Sequence, residues 1–264
     1  MAHQTADWPI LLAGTLLLRP YVFVFLAAFL VLAVRDLGWR RTWGWLGWGW
    51  AVAYVAEYAS TRIGIPFGLY HYTGETVRRE LFVSNVPFFD PLSFPFLAYA
   101  SYCLARWVLG QARGWAPAAL TGALMMLLDV VVDPLAVRGE SWFLGRIFYY
   151  ADPGNYFGVP LSNFAGWFLV GWTIAGGYLW AVGRRPRALG SPLGGIGLYY
   201  VVVLCNLGMT GWIGERTLLG AGIIVHVAVF LIIYAFKATS VTRGWAVERL
   251  AGQRVAVITT TIDE

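Results

Sequence analysis

Four carboxylic residues lie inside or at the edge of long apolar stretches of the sequence: Glu57, Asp90, Asp129 and Asp133. Placing such a group within a membrane costs about 2.5–3.5 kcal/mol on insertion scales, so each one is a functional hypothesis by default. Asp129 and Asp133 are four positions apart, which puts both side chains on one face of a helix. They are expected to share a proton or to line one cavity. The chemistry that such carboxyls provide is general acid and base catalysis.

The position of each carboxyl along its predicted helix predicts its protonation. Asp129, Asp133 and Glu57 fall near helix carboxyl ends, where the helix dipole and desolvation both disfavour a negative charge. Asp90 precedes Pro91 at a helix start, where an N-cap accepts backbone N–H groups and stays ionised. The sequence thus predicts acids beside a base. Simpler roles stay open: Asp90 as a cap only, Asp133-Pro134 as a helix end, and Glu57 or Asp129 as ion-pair partners of Arg62.

Aromatic residues crowd the two long connections next to these carboxyls. One connection contains the run from Phe67 to Tyr72, and the other contains Phe148 to Tyr150 and Tyr156 to Gly158. Ring faces attract a cation by about 0.5–2 kcal/mol, or more where water is excluded. A cavity lined by rings beside an acid is suited to a developing carbocation.

The composition identifies the scaffold of these residues as a membrane bundle. Of 264 residues, 59% are hydrophobic and only 12% are charged, which excludes a water-soluble globule. It also excludes the nucleic-acid binding that a net charge of +5 suggests elsewhere. Residues 8–18 are too short to cross a bilayer alone, and form an interfacial helix or a kinked start to the first span. Seven spans are predicted, with six to eight open, at 20–35, 43–60, 91–109, 115–135, 162–182, 193–213 and 217–237.

We therefore predict an all-α polytopic membrane protein with a single transmembrane domain over residues 1–240 and a polar cytoplasmic tail over 241–264. When the 19 basic residues are sorted by side, the greater number falls on the side of the carboxyl terminus, which the positive-inside rule makes cytoplasmic. The expected location is the cell (inner) membrane, crossed several times, with the amino terminus outside. Both long connections, 61–90 and 136–161, then face outward.

Three segments carry a family resemblance: EYASTRIGIPFGLYHY at 57–72, LLDVVVDP at 127–134 and YFGVPLSNFAGW at 156–167. With them the chain resembles the membrane-integral carotenoid biosynthesis proteins of bacteria and haloarchaea, over about residues 20–240. That family includes hydratases of the carotenoid 1',2'-hydratase and bisanhydrobacterioruberin hydratase type. The resemblance implies addition of water to the terminal double bond of an acyclic carotenoid such as lycopene, without an organic cofactor or oxidant. No metal site is predicted, because His71 has no second ligand at metal spacing.

The site chemistry and the implied activity agree, because hydrating such an alkene needs an acid, shelter for a tertiary cation and one controlled water. Asp129 or Asp133 is the expected proton donor, and Glu57 or Asp90 is expected to orient or deprotonate the water. The expected substrate-binding residues are Tyr70, Tyr72, Tyr150, Tyr156, Asn163 and Trp167. The expected partners are the acyclic carotenoid, water and the lipid bilayer, with no nucleic acid. A homo-oligomer, or association with other carotenoid enzymes, stays open.

Two other classes of protein compete with an enzyme. Membrane carboxyls also mark proton pathways, so a small-molecule or proton-coupled transporter is one alternative. Against it, the predicted polar groups lie at one level of the membrane with no counterpart in the other half, and no inverted repeat is visible. A noncatalytic carotenoid-binding subunit is the other alternative. A retinal-binding photoreceptor is disfavoured because Lys237, the only lysine, lies at the edge of the last predicted span.

Overall fold

In the computed structural model of the chain, residues 8–110, 114–183 and 190–239 are described in full, and residues 240–262 by their backbone. Most of these residues belong to α-helices. The helices are α1 (Trp8–Leu18), α2 (Pro20–Leu37), α3 (Trp39–Ile63), α4 (Asp90–Leu109), α5 (Ala116–Ala136), α6 (Leu161–Ala181), α7 (Leu193–Trp212) and α8 (Arg216–Ile262). Four short strands lie in the connections: β1 (Tyr70–Tyr72), β2 (Phe82–Val83), β3 (Val86–Pro87) and β4 (Phe148–Tyr150).

Each stretch that was predicted to span the membrane matches a helix to within about four residues at each end, except that α8 continues past the predicted end at 237 to Ile262. Among the described residues, five helices are long and apolar enough to cross a membrane: α2, α4, α5, α7 and the Arg216–Thr239 part of α8. The helices α3 and α6 have 25 and 21 residues, which is also long enough to cross a bilayer. The prediction of an all-α polytopic membrane protein is confirmed, with helices of spanning length at all seven predicted positions.

A buried arginine marks the break between α1 and α2. Arg19 is 3% exposed and forms two hydrogen bonds to the Glu80 carboxylate, from Nε to Oε2 at 3.1 Å and from Nη2 to Oε1 at 3.0 Å. Its Nη1 donates to the backbone oxygen of Leu144 at 2.8 Å. Because Glu80 and Leu144 belong to the two long connections, Arg19 fastens both of them to the start of α2.

The two long connections also pair directly with each other. Strands β1 and β4 are antiparallel, with Tyr70 opposite Tyr150 and Tyr72 opposite Phe148. The sequence indicated only aromatic loops here, because three-residue strands are too short to show an alternating pattern. The pairing places connections 64–89 and 137–160 together over one end of the bundle, which we call the loop end.

Helix α4 lies at the centre of the bundle, against α2, α3, α5, α6 and α7, and α5 and α6 form the closest helix pair. Small residues permit that approach. A Cβ atom at Gly122 of α5 would lie 2.5 Å from the backbone oxygen of Phe168 in α6. A Cβ atom at Gly171 of α6 would lie 3.1 Å from the Cα of Gly122. The two backbones therefore touch at a level where no side chain fits between them.

The half of the bundle away from the loop end contains a buried ion pair. Arg106 Nη2 lies 2.9 Å from Asp36 Oδ1, and Tyr99 Oη donates to Asp36 Oδ2 at 3.3 Å. The prediction that this half has no polar counterpart was wrong. Asp36 directly follows the predicted end of a span at residue 35, so its sequence position suggested the interface, but α2 continues to Leu37 and buries it.

The backbone divides into two compact units, Met1–Gly222 and Ile223–Glu264. In the second unit, α8 continues as a helix to Ile262. The predicted polar tail, 241–264, falls on residues whose side chains lie outside the described part of the chain. The predicted domain boundary at residue 240 stays a prediction.

Because α5 and α6 touch at Gly122, adding one methyl group there should lower the stability of the protein more than adding one at an open position. Gly122→Ala should lower the stability of the detergent-solubilised protein by about 1–3 kcal/mol, because the new Cβ meets backbone that cannot move aside. Gly197→Ala in α7 is the matched control, since a Cβ there meets nothing within 4 Å. Thermal unfolding followed by circular dichroism measures both variants. Equal stability of the two would contradict the close approach.

Candidate active site

A cavity of about 580 Å³ lies towards the loop end, among α2, α4, α5, α7 and the two long connections. Its lining is mostly apolar and aromatic, as in small-molecule sites generally. Three of the four predicted carboxyls, Glu57, Asp90 and Asp133, lie in its wall together with Asn163. The chain therefore brings carboxyls from α3, α4 and α5 to one cavity.

The first carboxyl cluster joins α5 to α6. Asn163 Nδ2 donates to Asp129 Oδ2 at 2.6 Å and to Asp133 Oδ2 at 2.7 Å. One amide nitrogen has two protons, so it can serve both carboxyls at once. The backbone N–H of Asp133 also donates to Asp129 Oδ1 at 3.2 Å. The predicted shared face of Asp129 and Asp133 is confirmed. Their common donor, Asn163, lies in the first turn of α6, which begins after Pro160.

The oxygens of Asp133 have different surroundings. Its Oδ2 accepts from three donors: Asn163 Nδ2, Trp167 Nε1 at 3.2 Å and Tyr150 Oη at 3.4 Å. Because donors surround Oδ2, a proton carried by this carboxyl belongs on Oδ1. Asp133 lines the cavity, and its carboxyl is also within hydrogen-bonding reach of the Asp129 carboxyl.

Asp129 was one of the two expected proton donors, but it lies in a different place from Asp133. It is fully buried, and it does not belong to the cavity wall that Asp133 and Asn163 form. Both of its oxygens accept hydrogen bonds, from Asn163 and from the Asp133 backbone. Asp129 therefore fixes the positions of the Asn163 side chain and the Asp133 backbone by hydrogen bonds.

The second carboxyl cluster lies on α3 and α4 and is bridged by one tyrosine. Tyr72 Oη lies 2.9 Å from Glu57 Oε2, 2.7 Å from Asp90 Oδ2 and 3.3 Å from Tyr70 Oη. The second oxygen of Glu57, Oε1, is buried and has no hydrogen-bond partner among the described residues. Glu57 lines the cavity, so this carboxyl has an uncommitted oxygen beside the space where a substrate would lie.

Proton counting constrains this second cluster. A phenol has one proton and can donate to only one carboxyl oxygen, so the other short contact needs a proton on Glu57 or Asp90. Burial, followed by the neighbouring carboxyls of Asp90 and Glu57, raises the pKa of the Tyr72 hydroxyl well above its usual range. Tyr72 therefore stays a neutral phenol. Besides the phenol proton, the cluster therefore holds one proton on its two carboxyls. It contains both an acid and a base, as acid and base chemistry requires.

Three sequence interpretations of these carboxyls were wrong. Asp133-Pro134 does not end its helix, because α5 continues through Pro134 to Ala136. Asp90 is the first residue of α4, and its side chain bonds Tyr72 and makes no capping hydrogen bond. Arg62 pairs with neither Glu57 nor Asp129: its guanidinium lies 3.4 Å from the ring centroid of Tyr58, and its Nη1 donates to Asn85 Oδ1 at 2.7 Å. Within the described residues, none of the four carboxyls takes part in an ion pair.

Aromatic rings form much of the cavity wall between the two carboxyl clusters. The rings of Tyr70 and Tyr150 are 5.9 Å apart across the β1–β4 pair, and those of Phe94 and Trp167 stack at 4.7 Å. All four residues line the cavity. Burial also raises the pKa of Tyr70 and Tyr150 above their usual range, so both stay neutral.

Tyr156 is the one predicted binding residue that lies apart from the carboxyls. Its Oη donates to the backbone oxygen of Val130 at 3.3 Å, and it is absent from the cavity lining. Its neighbour Phe157 has a positive φ of 51°, and the rings of Tyr156 and Phe157 pack edge to face with centroids 4.9 Å apart.

Several lining residues were missed by sequence reasoning: Tyr21 and Phe25 of α2, Ser93 and Phe94 of α4, and Cys205 and Asn206 of α7. Asn206 carried a usable signal, since an amide inside an apolar span is as exceptional as a carboxyl. The aromatic and small residues carried none, because the same residue types face lipid elsewhere in the chain.

The fold and the site together define a multi-pass α-helical membrane protein with an aromatic cavity flanked by two carboxyl clusters. The chain belongs to the carotenoid biosynthesis protein family, whose match covers residues 17–236. A curated relative, the bisanhydrobacterioruberin hydratase of Haloarcula japonica, is 31% identical over 182 residues. The match covers 65% of this chain and 59% of the relative, so the chain spans about three fifths of that protein. No solved structure matches the chain.

The bridge between Glu57 and Asp90 predicts that Tyr72→Phe destabilises the protein. Removing the hydroxyl leaves buried carboxyl oxygens without their partner, at a cost of about 1–3 kcal/mol. Tyr149→Phe is the matched control, because Tyr149 is exposed and lies on the neighbouring strand of the same sheet. Unfolding of both variants in detergent measures the difference. If Tyr72→Phe is as stable as Tyr149→Phe, Tyr72 does not bridge the Glu57 and Asp90 carboxyls.

Proposed function

We propose that this chain is a carotenoid hydratase, a hydro-lyase that adds water to the terminal 1',2' C=C bond of an acyclic carotenoid such as lycopene or a derivative. Membership of the carotenoid biosynthesis family and the hydratase name of the Haloarcula relative support the proposal. The observation that carries it is the presence of two separate carboxyl clusters in the wall of one aromatic cavity.

The first step is protonation of the alkene at carbon 2 by the Asp133 carboxyl. Asp133 lies in the wall, and the three donors at its Oδ2 leave Oδ1 to carry the proton. They also stabilise the carboxylate left after transfer, because hydrogen bonds to a charged form favour it. Asp129 and Asn163 act as positioning residues, since they touch Asp133 and hold its orientation.

The second step is capture of the tertiary cation at carbon 1. The rings of Tyr70, Tyr150 and Trp167 line the cavity and present faces that attract positive charge as it develops. A water molecule held by the Glu57–Tyr72–Asp90 cluster adds its oxygen to carbon 1. The proton that this water loses passes to Glu57 or Asp90, whichever is ionised, and Asp133 is left as a carboxylate. The substrate has then gained one hydrogen at carbon 2 and one hydroxyl at carbon 1. Exchange with solvent removes the proton from Glu57 or Asp90 and returns one to Asp133 before the next turnover.

A proton-coupled transporter is the second candidate, favoured by the Asp36–Arg106 pair. It places buried charge in the half of the bundle away from the loop end, where a proton pathway across the membrane would need polar groups. A transporter would leave the carotenoid unchanged, and so would a noncatalytic binding subunit. Analysis of product therefore separates both from a hydratase.

Expression in a lycopene-producing host tests the proposed activity through the mass of the pigments. The wild-type chain should yield pigment heavier by one water, detected by chromatography and mass spectrometry. Asp133→Asn should lower product by about 10²–10⁴-fold, because an amide cannot deliver the carboxylic proton. Asp129→Asn should lose less, since an amide oxygen can still accept from Asn163.

The surface variant Glu140→Gln controls for expression. The Glu140 side chain is exposed, and its ion-pair partner Arg146 belongs to neither carboxyl cluster. Hydrated pigment at the wild-type level from a well-folded Asp133→Asn variant would contradict the assigned proton donor. Unchanged pigment with the wild-type chain would contradict the hydratase itself.

The proposed chemistry needs only carboxyls, rings and water, so the activity should be independent of metals and organic cofactors. Treating purified protein with EDTA, followed by dialysis, should leave its turnover unchanged. The assay is the same product mass, with and without added divalent cations. Loss of activity that one metal restores would refute cofactor independence.

The proposed orientation in the cell membrane places the carboxyl terminus in the cytoplasm, because most basic residues fall on that side. Reporter fusions at the carboxyl terminus should give a cytoplasmic signal, and tags inserted near Glu75 or Glu140 in the two long connections should be accessible from outside. The opposite labelling pattern would overturn the assignment.

A further inference from the structure

Three exposed side chains belong to the lining of the cavity, and each comes from a different element. Val24 of α2 is 66% exposed, and Phe143 of connection 137–160 is 58% exposed. Cys205 of α7 is also exposed. Because a residue that both lines a cavity and is exposed marks its opening, these three residues frame an opening that we call the side window.

At the loop end the paired connections cover the cavity, apart from Phe143 at the edge of the side window. Strands β1 and β4 lie over the cavity, and the Tyr70 and Tyr150 side chains that they contribute to its wall are each only 6% exposed. The contacts of Arg19 with Glu80 and Leu144 fasten both connections in place. A long apolar substrate would have to unfold this cover to enter from water.

The side window lies between two candidate membrane spans. Helices α2 and α7 both have the length and hydropathy of membrane spans. Away from the loop end they touch, since a Cβ at Gly194 would lie 2.5 Å from Leu32. Their cavity-lining residues fall in the half nearer the loop end, so the gap between them opens at the depth of the carboxyls.

We propose that the side window admits one end of the carotenoid from the bilayer, and that the rest of the polyene remains in the window and the adjoining lipid. This inference rests on the proposed hydratase function and adds the route and the orientation of its substrate. Only one terminus reaches Asp133 in each binding event. A substrate with two reactive ends must therefore leave and re-enter for its second hydration.

Tryptophan substitutions at the window test this route. Cys205→Trp and Val24→Trp should each lower binding and turnover of a full-length carotenoid by about tenfold or more, because the added ring fills the gap. Turnover of a short acyclic alkene with the same terminal group should fall much less, since it fits inside the cavity. Leu204→Trp is the matched control, because Leu204 is an exposed neighbour on α7 that does not line the cavity.

Binding is measured by the visible absorbance of pigment on the purified protein, and turnover by product mass, so the two claims can fail separately. If both window variants bind and hydrate full-length carotenoid as Leu204→Trp does, the side window is not the route. If the wild-type chain binds pigment without hydrating it and the window variants lose binding, the window stands and the hydratase does not.

Discussion

A carboxyl group inside an apolar bundle must either keep its proton or be surrounded by hydrogen-bond donors, and this constraint organises the site. Around Asp133 the donors are Asn163, Trp167 and Tyr150. Between Glu57 and Asp90 a single phenol serves both, so a proton must remain on one of them. The surrounding donors and the retained proton lower the cost of burying these carboxyls. They also allow the carboxyls to give and accept protons.

The rest of the fold keeps those donors in place. The glycine contact between α5 and α6 brings Asn163 to the Asp129 and Asp133 carboxyls. The pairing of β1 with β4 sets Tyr72 and Tyr150 on neighbouring strands, one for each carboxyl cluster. Backbone packing and loop pairing thus set the separation of the two carboxyl clusters.

The sequence predicted the helices and the common face of Asp129 and Asp133 because both depend on local pattern. Apolar length defines a span, and the i,i+4 spacing defines the common face of Asp129 and Asp133. It could not predict which carboxyl reaches the cavity, since that depends on how α5 is rotated against α6. It also missed the burial of Asp36, whose partner Arg106 is 70 residues away in the chain, and the contribution of α2 and α7 to the cavity.

The central claim is that a carboxylic proton is delivered to carbon 2 and that water then captures the cation at carbon 1. Turnover of a lycopene-type substrate by purified protein in heavy water, analysed by mass spectrometry and NMR, tests it directly. The account predicts one non-exchangeable deuterium at carbon 2, and a new hydroxyl whose oxygen is labelled by oxygen-18 water and not by molecular oxygen. Product without deuterium at carbon 2, or with its oxygen drawn from molecular oxygen, would contradict the mechanism.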